Sequence, residues 1–176
     1  MGLPDVWPRP VLRQEGGRGS RRGTFHARPR PVPTLRGNYA ESGPILDVFV
    51  GVSEPRRRVM HQLGFEPAPF QRVPFLIDTG ADTTMVSEQL MRTLGIPQSG
   101  SRDIVGSTTH IDPTTCSAHD IAFEIRTPGE APFAVPALQV LARPFFNSSI
   151  EGLIGRDVLN QLELTMGHWR FKLEYR

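Results

Sequence analysis

The segment Pro74-Phe75-Leu76-Ile77-Asp78-Thr79-Gly80-Ala81-Asp82-Thr83-Thr84 runs from an apolar stretch directly into a polar triplet. A short apolar run bounded by turn residues fits a buried strand, so Arg72 to Asp78 reads as a strand that ends on the Asp-Thr-Gly turn. Gly80 permits the tight turn that must follow, and the Thr79 hydroxyl is placed to brace it. A carboxylate held this way is suited to proton transfer. Two such groups facing each other across a water cannot both ionise cheaply, so they share one proton. One then takes a proton from the water while the other donates to a carbonyl oxygen, with no metal and no covalent intermediate. Asp-x-Gly also occurs in ordinary turns, and the meaning of the triplet therefore rests on its surroundings.

Outward from the triplet, the chain from Pro44 onward alternates short runs of Val, Ile, Phe and Leu with Gly and Pro, the pattern of an all-β domain. Ile45 to Val52 is the first expected strand. Ser53 to Gln71 interrupts the pattern as an insertion between paired strands, with a short helix from Pro55 to Leu63 ended by Gly64. Placed there, the insertion is expected to modulate access to the site, and its Arg56 to Arg58 run reads as a solvated helix face rather than a contact patch. After the triplet, Ser87 caps a helix through Leu94, with Gly95 just past its end and Pro97 preventing continuation. Further strands are expected over 103–111, 117–126, 133–142, 162–166 and 169–175, the last two joined by a two-residue turn at Gly167-His168.

Length and composition set the limits. The 176 residues suffice for one domain with a core. A formal charge of +2 conceals an asymmetry: residues 1–40 hold eight Arg against Asp5 and Glu15, and residues 41–176 hold twelve basic and sixteen acidic side chains. Residues 1–40 combine Pro, Gly and Arg with few aliphatic side chains and read as a disordered arm, which leaves 41–176 as the folded domain. Arg18, Arg21, Arg22, Arg28 and Arg30 on the arm offer accessory contacts to nucleic acid or an acidic partner, but a solvated tail is the stronger reading. Cys116 is the only cysteine, which excludes an intrachain disulfide and a cysteine-based zinc site. His26, His61, His110, His119 and His168 lack metal-ligand spacing, so each reads as surface or core. Neither metal nor cofactor is expected. Met1 to Arg13 lacks the form of an export signal and the sequence has no run of eighteen apolar residues, so the expected compartment is the cytoplasm, away from membranes.

A second segment gives the triplet its context: Ile150-Glu151-Gly152-Leu153-Ile154-Gly155-Arg156-Asp157-Val158-Leu159. The two segments, in this order, resemble those of the retropepsins, the proteases of retroviruses and their relatives in retroelements, bacteria and eukaryotic cells. The resemblance covers about residues 44–176. It implies an all-β, closed, barrel-like fold with one or two short helices, functional as a homodimer. By position it implies Asp78 as the catalytic aspartate, Thr79 as the hydroxyl linking the two active-site loops across the dimer, and Gly80 as the turn glycine facing substrate. Ala81 and Asp82 match positions lining the substrate cleft. Leu153 and Ile154 match the apolar strand beneath and beside the site and are expected to line the substrate cleft, and Arg156 matches a helix-opening arginine that pairs with the carboxylate of Asp82, fixing the loop rather than doing chemistry. The interval from Asp103 to Ile111 matches the flap that closes over substrate, with Val105 and Gly106 as its cleft-facing residues. Viral flaps carry several glycines near the tip, whereas this one has Gly106 followed by Ser107, Thr108 and Thr109. Viral chains also end in one short interface strand, and here an expected hairpin from Leu162 to Tyr175 resembles the cellular and bacterial relatives more.

The expected function is an aspartic endopeptidase acting on peptide or protein substrates, with a dyad shared by two copies because one chain has one Asp-Thr-Gly. The competing reading is an inactive retropepsin-fold dimer that binds peptides or proteins, since fold alone does not establish activity. The presence of Asp78, Thr79, Gly80, Gly155 and Arg156 together favours catalysis.

Overall fold

The computed structural model describes residues 32–105, 113–145 and 149–175. In chain order these form β1 (Thr34–Asn38), β2 (Ile45–Val52), α1 (Glu54–Gln62), β3 (Gln71–Ile77), β4 (Met85–Ser87), α2 (Glu88–Thr93), β5 (Gly100–Ile104), β6 (Thr114–Ile125), β7 (Phe133–Arg143), β8 (Gly152–Ile154), α3 (Arg156–Leu159), β9 (Glu163–Gly167) and β10 (Arg170–Glu174).

Period-two alternation drives the strands into a barrel. Along β2, Leu46, Val48, Val50 and Val52 are buried while Asp47 faces out, as successive side chains on a pleated strand must alternate. Strands β2, β3, β8, β4, β7 and β6 pair in that order, and β6 returns to β2 from Phe49↔Glu124 to Val52↔Ile121, closing a six-stranded barrel. Most pairs are antiparallel, but β3–β8 and β4–β7 are parallel. Phe75, Ile121, Phe123, Ile125, Val140 and Ile154 fill the interior at essentially zero exposure. β5 pairs with β6 outside the ring. A separate antiparallel sheet, β1-β10-β9, packs Leu35, Leu164, Phe171 and Leu173 against the same core.

The all-β barrel matches the expected class, and several boundaries differ. Three short helices form among the described residues, the last of them, α3, opened by Arg156 as the resemblance implied. The folded unit begins before residue 41, because Thr34–Asn38 pairs along β10 from Thr34↔Glu174 to Asn38↔Arg170. That strand is carried by its partner and not by an apolar run of its own. Residues 1–31 of the expected arm lie outside the described residues, as do residues 106–111 of the expected flap. The terminal hairpin forms, but Gly167 pairs with Arg170, so His168 and Trp169 make the turn, at φ 50° and 60°. Glycine tolerates positive φ best, which pointed to Gly167; the register set by Phe171 and Leu173 in the core shifts the loop by one residue.

The insertion adopts its expected helix, α1, with Pro55 in the first turn. Its position differs from the expectation. β2 and β3 pair from Ile45↔Leu76 to Val50↔Gln71, so the insertion leaves the strand pair at the end opposite Asp78, about 20 Å along β3. It does not flank the site within one chain. No described helix is long and apolar enough to cross a membrane.

Candidate active site

Asp78 sits where β3 leaves the barrel. Its N–H donates to the Ile154 carbonyl at 3.0 Å, which extends the parallel β3–β8 pairing by one residue and ties the two sequence segments together. The chain then turns: Gly80 N–H donates to Asp78 Oδ1 at 2.9 Å, and Ala81 N–H to the Asp78 carbonyl at 3.3 Å. One carboxylate oxygen is thus oriented by the backbone, leaving the other for chemistry. Thr79 and Gly80 are exposed beside it.

The loop beyond the turn is pinned to α3. Arg156 N–H donates to the Ala81 carbonyl at 2.9 Å and Asp157 N–H to the Asp82 carbonyl at 3.2 Å, so orphan amides of the helix N-terminus are satisfied by the active-site loop. The expected Arg156–Asp82 ion pair is present. It is solvent-exposed on both sides, so its role is orientation of the loop, with little contribution to stability.

Beneath it lies a lock that sequence reasoning did not assign. Thr84 is fully buried. Its N–H and Oγ1–H donate to the two Asp157 carboxylate oxygens at 2.9 and 2.7 Å, and its Oγ1 accepts the Gly155 N–H at 3.1 Å. Asp157 Oδ1 also accepts the Val158 N–H at 3.0 Å. The hydroxyl donates once and accepts once, so no buried polar group is stranded. The close approach explains Gly155: a Cβ there would lie 2.5 Å from the Thr83 carbonyl carbon. Gly152 serves the same end one strand earlier, where a Cβ would meet the Phe75 ring and the Met85 carbonyl oxygen at 2.5 Å. The only hint in sequence was the Asp following Gly155-Arg156; which of Thr83 and Thr84 it would meet depends on the tertiary contact.

The remaining candidate residues divide. Leu153 is half-buried against Met85, Cys116 and Leu141, and retains a surface beside the loop. Ile154 is fully buried in the main core, because alternation on β8 turns it inward, and it supports the site without lining a cleft. Val105 is 75 % exposed just past β5; Gly106 lies outside the described residues. His119 is a core residue: its Nδ1 bonds the Ile96 and Pro97 carbonyls at 3.2 and 3.0 Å and its Nε2 meets Ser117 Oγ at 3.1 Å, pinning the exit from α2. The helix itself is capped as expected, with Ser87 Oγ accepting the Leu90 N–H at 3.0 Å.

The comparisons agree with this geometry. A family profile described as Aspartyl protease matches residues 64–158, a span containing the Asp78 turn, the Thr84–Asp157 lock and the Asp82–Arg156 pair. Among solved structures, the crystal structure of a retropepsin-like aspartic protease from Rickettsia conorii superposes with a TM-score of 0.52 at 12 % identity, covering 82 % of this chain and 92 % of that one. No curated protein matches. The chain belongs to the aspartyl protease family and has the retropepsin-like fold.

Proposed function

We propose that this chain is an aspartic endopeptidase, active as a homodimer in which Asp78 of each copy holds one water. The observation that carries the reading is the Asp78 turn: one carboxylate oxygen is held by the Gly80 N–H, the backbone is tied to β8, and exposed Thr79 and Gly80 stand beside it. The sequence contains one such triplet, and the reaction needs two carboxylates. Isologous pairing about a two-fold axis supplies the second from an identical loop.

In the assembled site, one Asp78 is ionised and its mate protonated. The ionised carboxylate accepts a proton from the water as the oxygen attacks the peptide carbonyl, and the protonated one donates to the carbonyl oxygen. In the collapse of the gem-diol intermediate, the carboxyl that took the water proton donates it to the leaving nitrogen, the C–N bond breaks, and the other carboxylate takes the proton of one diol hydroxyl as the C=O reforms, so the pair again holds one proton. Leu153 and Val105 favour substrates with apolar side chains near the cleaved bond, presented as an extended strand.

Mixing tests the shared dyad. Wild-type chains equilibrated with an equal amount of Asp78→Asn should retain about one quarter of the activity of an all-wild-type sample at the same total concentration, since only one pairing in four has both carboxylates. Activity that tracks wild-type chains linearly would show that each copy works alone. An inactive wild type that still binds extended peptides would return the reading to a binding module.

A further inference from the structure

Trp169 stands 79 % exposed on the turn between β9 and β10. It and His168 both hold a left-handed backbone, which side chains other than glycine adopt at a cost. An Asn-Gly turn would join the same strands without that cost, so the hairpin does not by itself call for an indole here. The ring is also oriented. Tyr39 packs edge-on against it with centroids 6.0 Å apart, the Tyr39 N–H donates to the Trp169 carbonyl at 2.9 Å, and neighbouring Met166 is 39 % exposed.

This tip lies at the catalytic end of the barrel. Tyr39 leads into a turn closed by reciprocal Ala40–Gly43 hydrogen bonds of 2.8 and 3.0 Å, which brings Pro44 back beside Tyr39; the Pro44 carbonyl accepts the Ile77 N–H at 2.9 Å, and the next residue is Asp78. Three interstrand steps therefore separate Trp169 from Asp78, about 15 Å at the usual spacing.

We infer that Trp169, with Met166 and the edge of Tyr39, is the anchor on which a second copy of this chain docks, and that docking buries the indole as it delivers the second Asp78. The inference rests on the shared-dyad reading. The occupant follows from position: the half-site requires a second copy at this end of the molecule, and the exposed Trp belongs to the residue class that most often dominates interface energy. A substrate lying across the dyad would reach the ring only about four residues from the cleaved bond, whereas a protomer packed against the Asp78 face meets it directly.

Trp7 is the other tryptophan, so Trp7→Phe in the full chain leaves Trp169 as the sole indole reporter. On dilution, its emission should shift to the red over the same concentrations at which sedimentation velocity shows dimer giving way to monomer. Trp169→Ala should raise the dimer Kd about tenfold or more, with activity recovering at high protein concentration, and Trp169→Phe should recover part of the affinity. Replacing the turn by His168→Asn with Trp169→Gly separates docking from folding: the thermal midpoint of the monomer should rise while association weakens. An indole that stays open to acrylamide in a persistent dimer overturns the inference and leaves the shared dyad standing; so does a Trp169→Ala variant with unchanged Kd and raised KM. Proteolysis by a chain that stays monomeric at every concentration overturns the dyad, and the inference with it.

Discussion

The strand pair β2–β3 has two unlike ends. At the Asp78 end, backbone bonds from β8 and α3 converge on the loop, the Thr84–Asp157 lock is buried beneath it, and glycines at 152 and 155 let the segments touch. At the other end, α1 buries none of its residues completely. It is held by half-buried Met60 and by Arg57, whose guanidinium lies 5.1 Å from the Phe70 ring centroid. One Arg57 nitrogen is buried without a partner, while Val59, Leu63 and Phe65 are more than half exposed. The contrast shows where precision is spent. The Asp78 loop is over-determined by these bonds, as the proposed sharing of a proton between two carboxylates would require, whereas the opposite end tolerates an added helix because little depends on its exact position.

Breaking the catalytic end should cost most. Asp78→Asn should lower kcat/KM at least about 10³-fold while leaving the thermal midpoint nearly unchanged, which peptide-cleavage assays beside calorimetry would check. Gly155→Ala should destabilise by about 3 kcal/mol, because its Cβ meets Thr83 backbone that has no room to retreat; a normal urea midpoint would sink this account of the glycine. Asp157→Ala should cost about 2 kcal/mol, since the buried Thr84 N–H loses its acceptor. The same variant should speed labelling of Cys116, whose thiol burial pushes up from its ordinary range, because that residue lies in the cluster Leu153 packs against and reacts only on opening. Asp82→Asn should change stability by less than about 1 kcal/mol, as expected of an exposed pair, and act instead on KM through a loosened loop. At the far end, Leu63→Ser should shift stability by no more than about 0.5 kcal/mol and leave kinetics untouched. A large effect there would show that the insertion takes part in function after all.

Much of the site was legible because its signals are local. Asp78-Thr79-Gly80 on an apolar strand, Ser87 capping α2 and the 54–62 helix each depend on residues within a few positions of one another. The Asp82–Arg156 pair came from the family resemblance, and the structure forms it. What was not legible depends on contacts distant in the chain. β1 exists because β10 offers it a ladder. Ile154 is core and Leu153 is not, since only the pairing of β8 with β3 and β4 decides which way three residues alternate.

By itself, then, the sequence determined the class of fold and the place of the Asp-Thr-Gly turn on which the proposed dyad rests, since strand alternation and turn chemistry are properties of neighbouring residues. Tertiary structure alone decided that Thr84 and Asp157 lock the loop, that the insertion sits far from it, and that His168 and Trp169 take the turn between β9 and β10. Those outcomes depend on strand register, which is set by how the whole core packs.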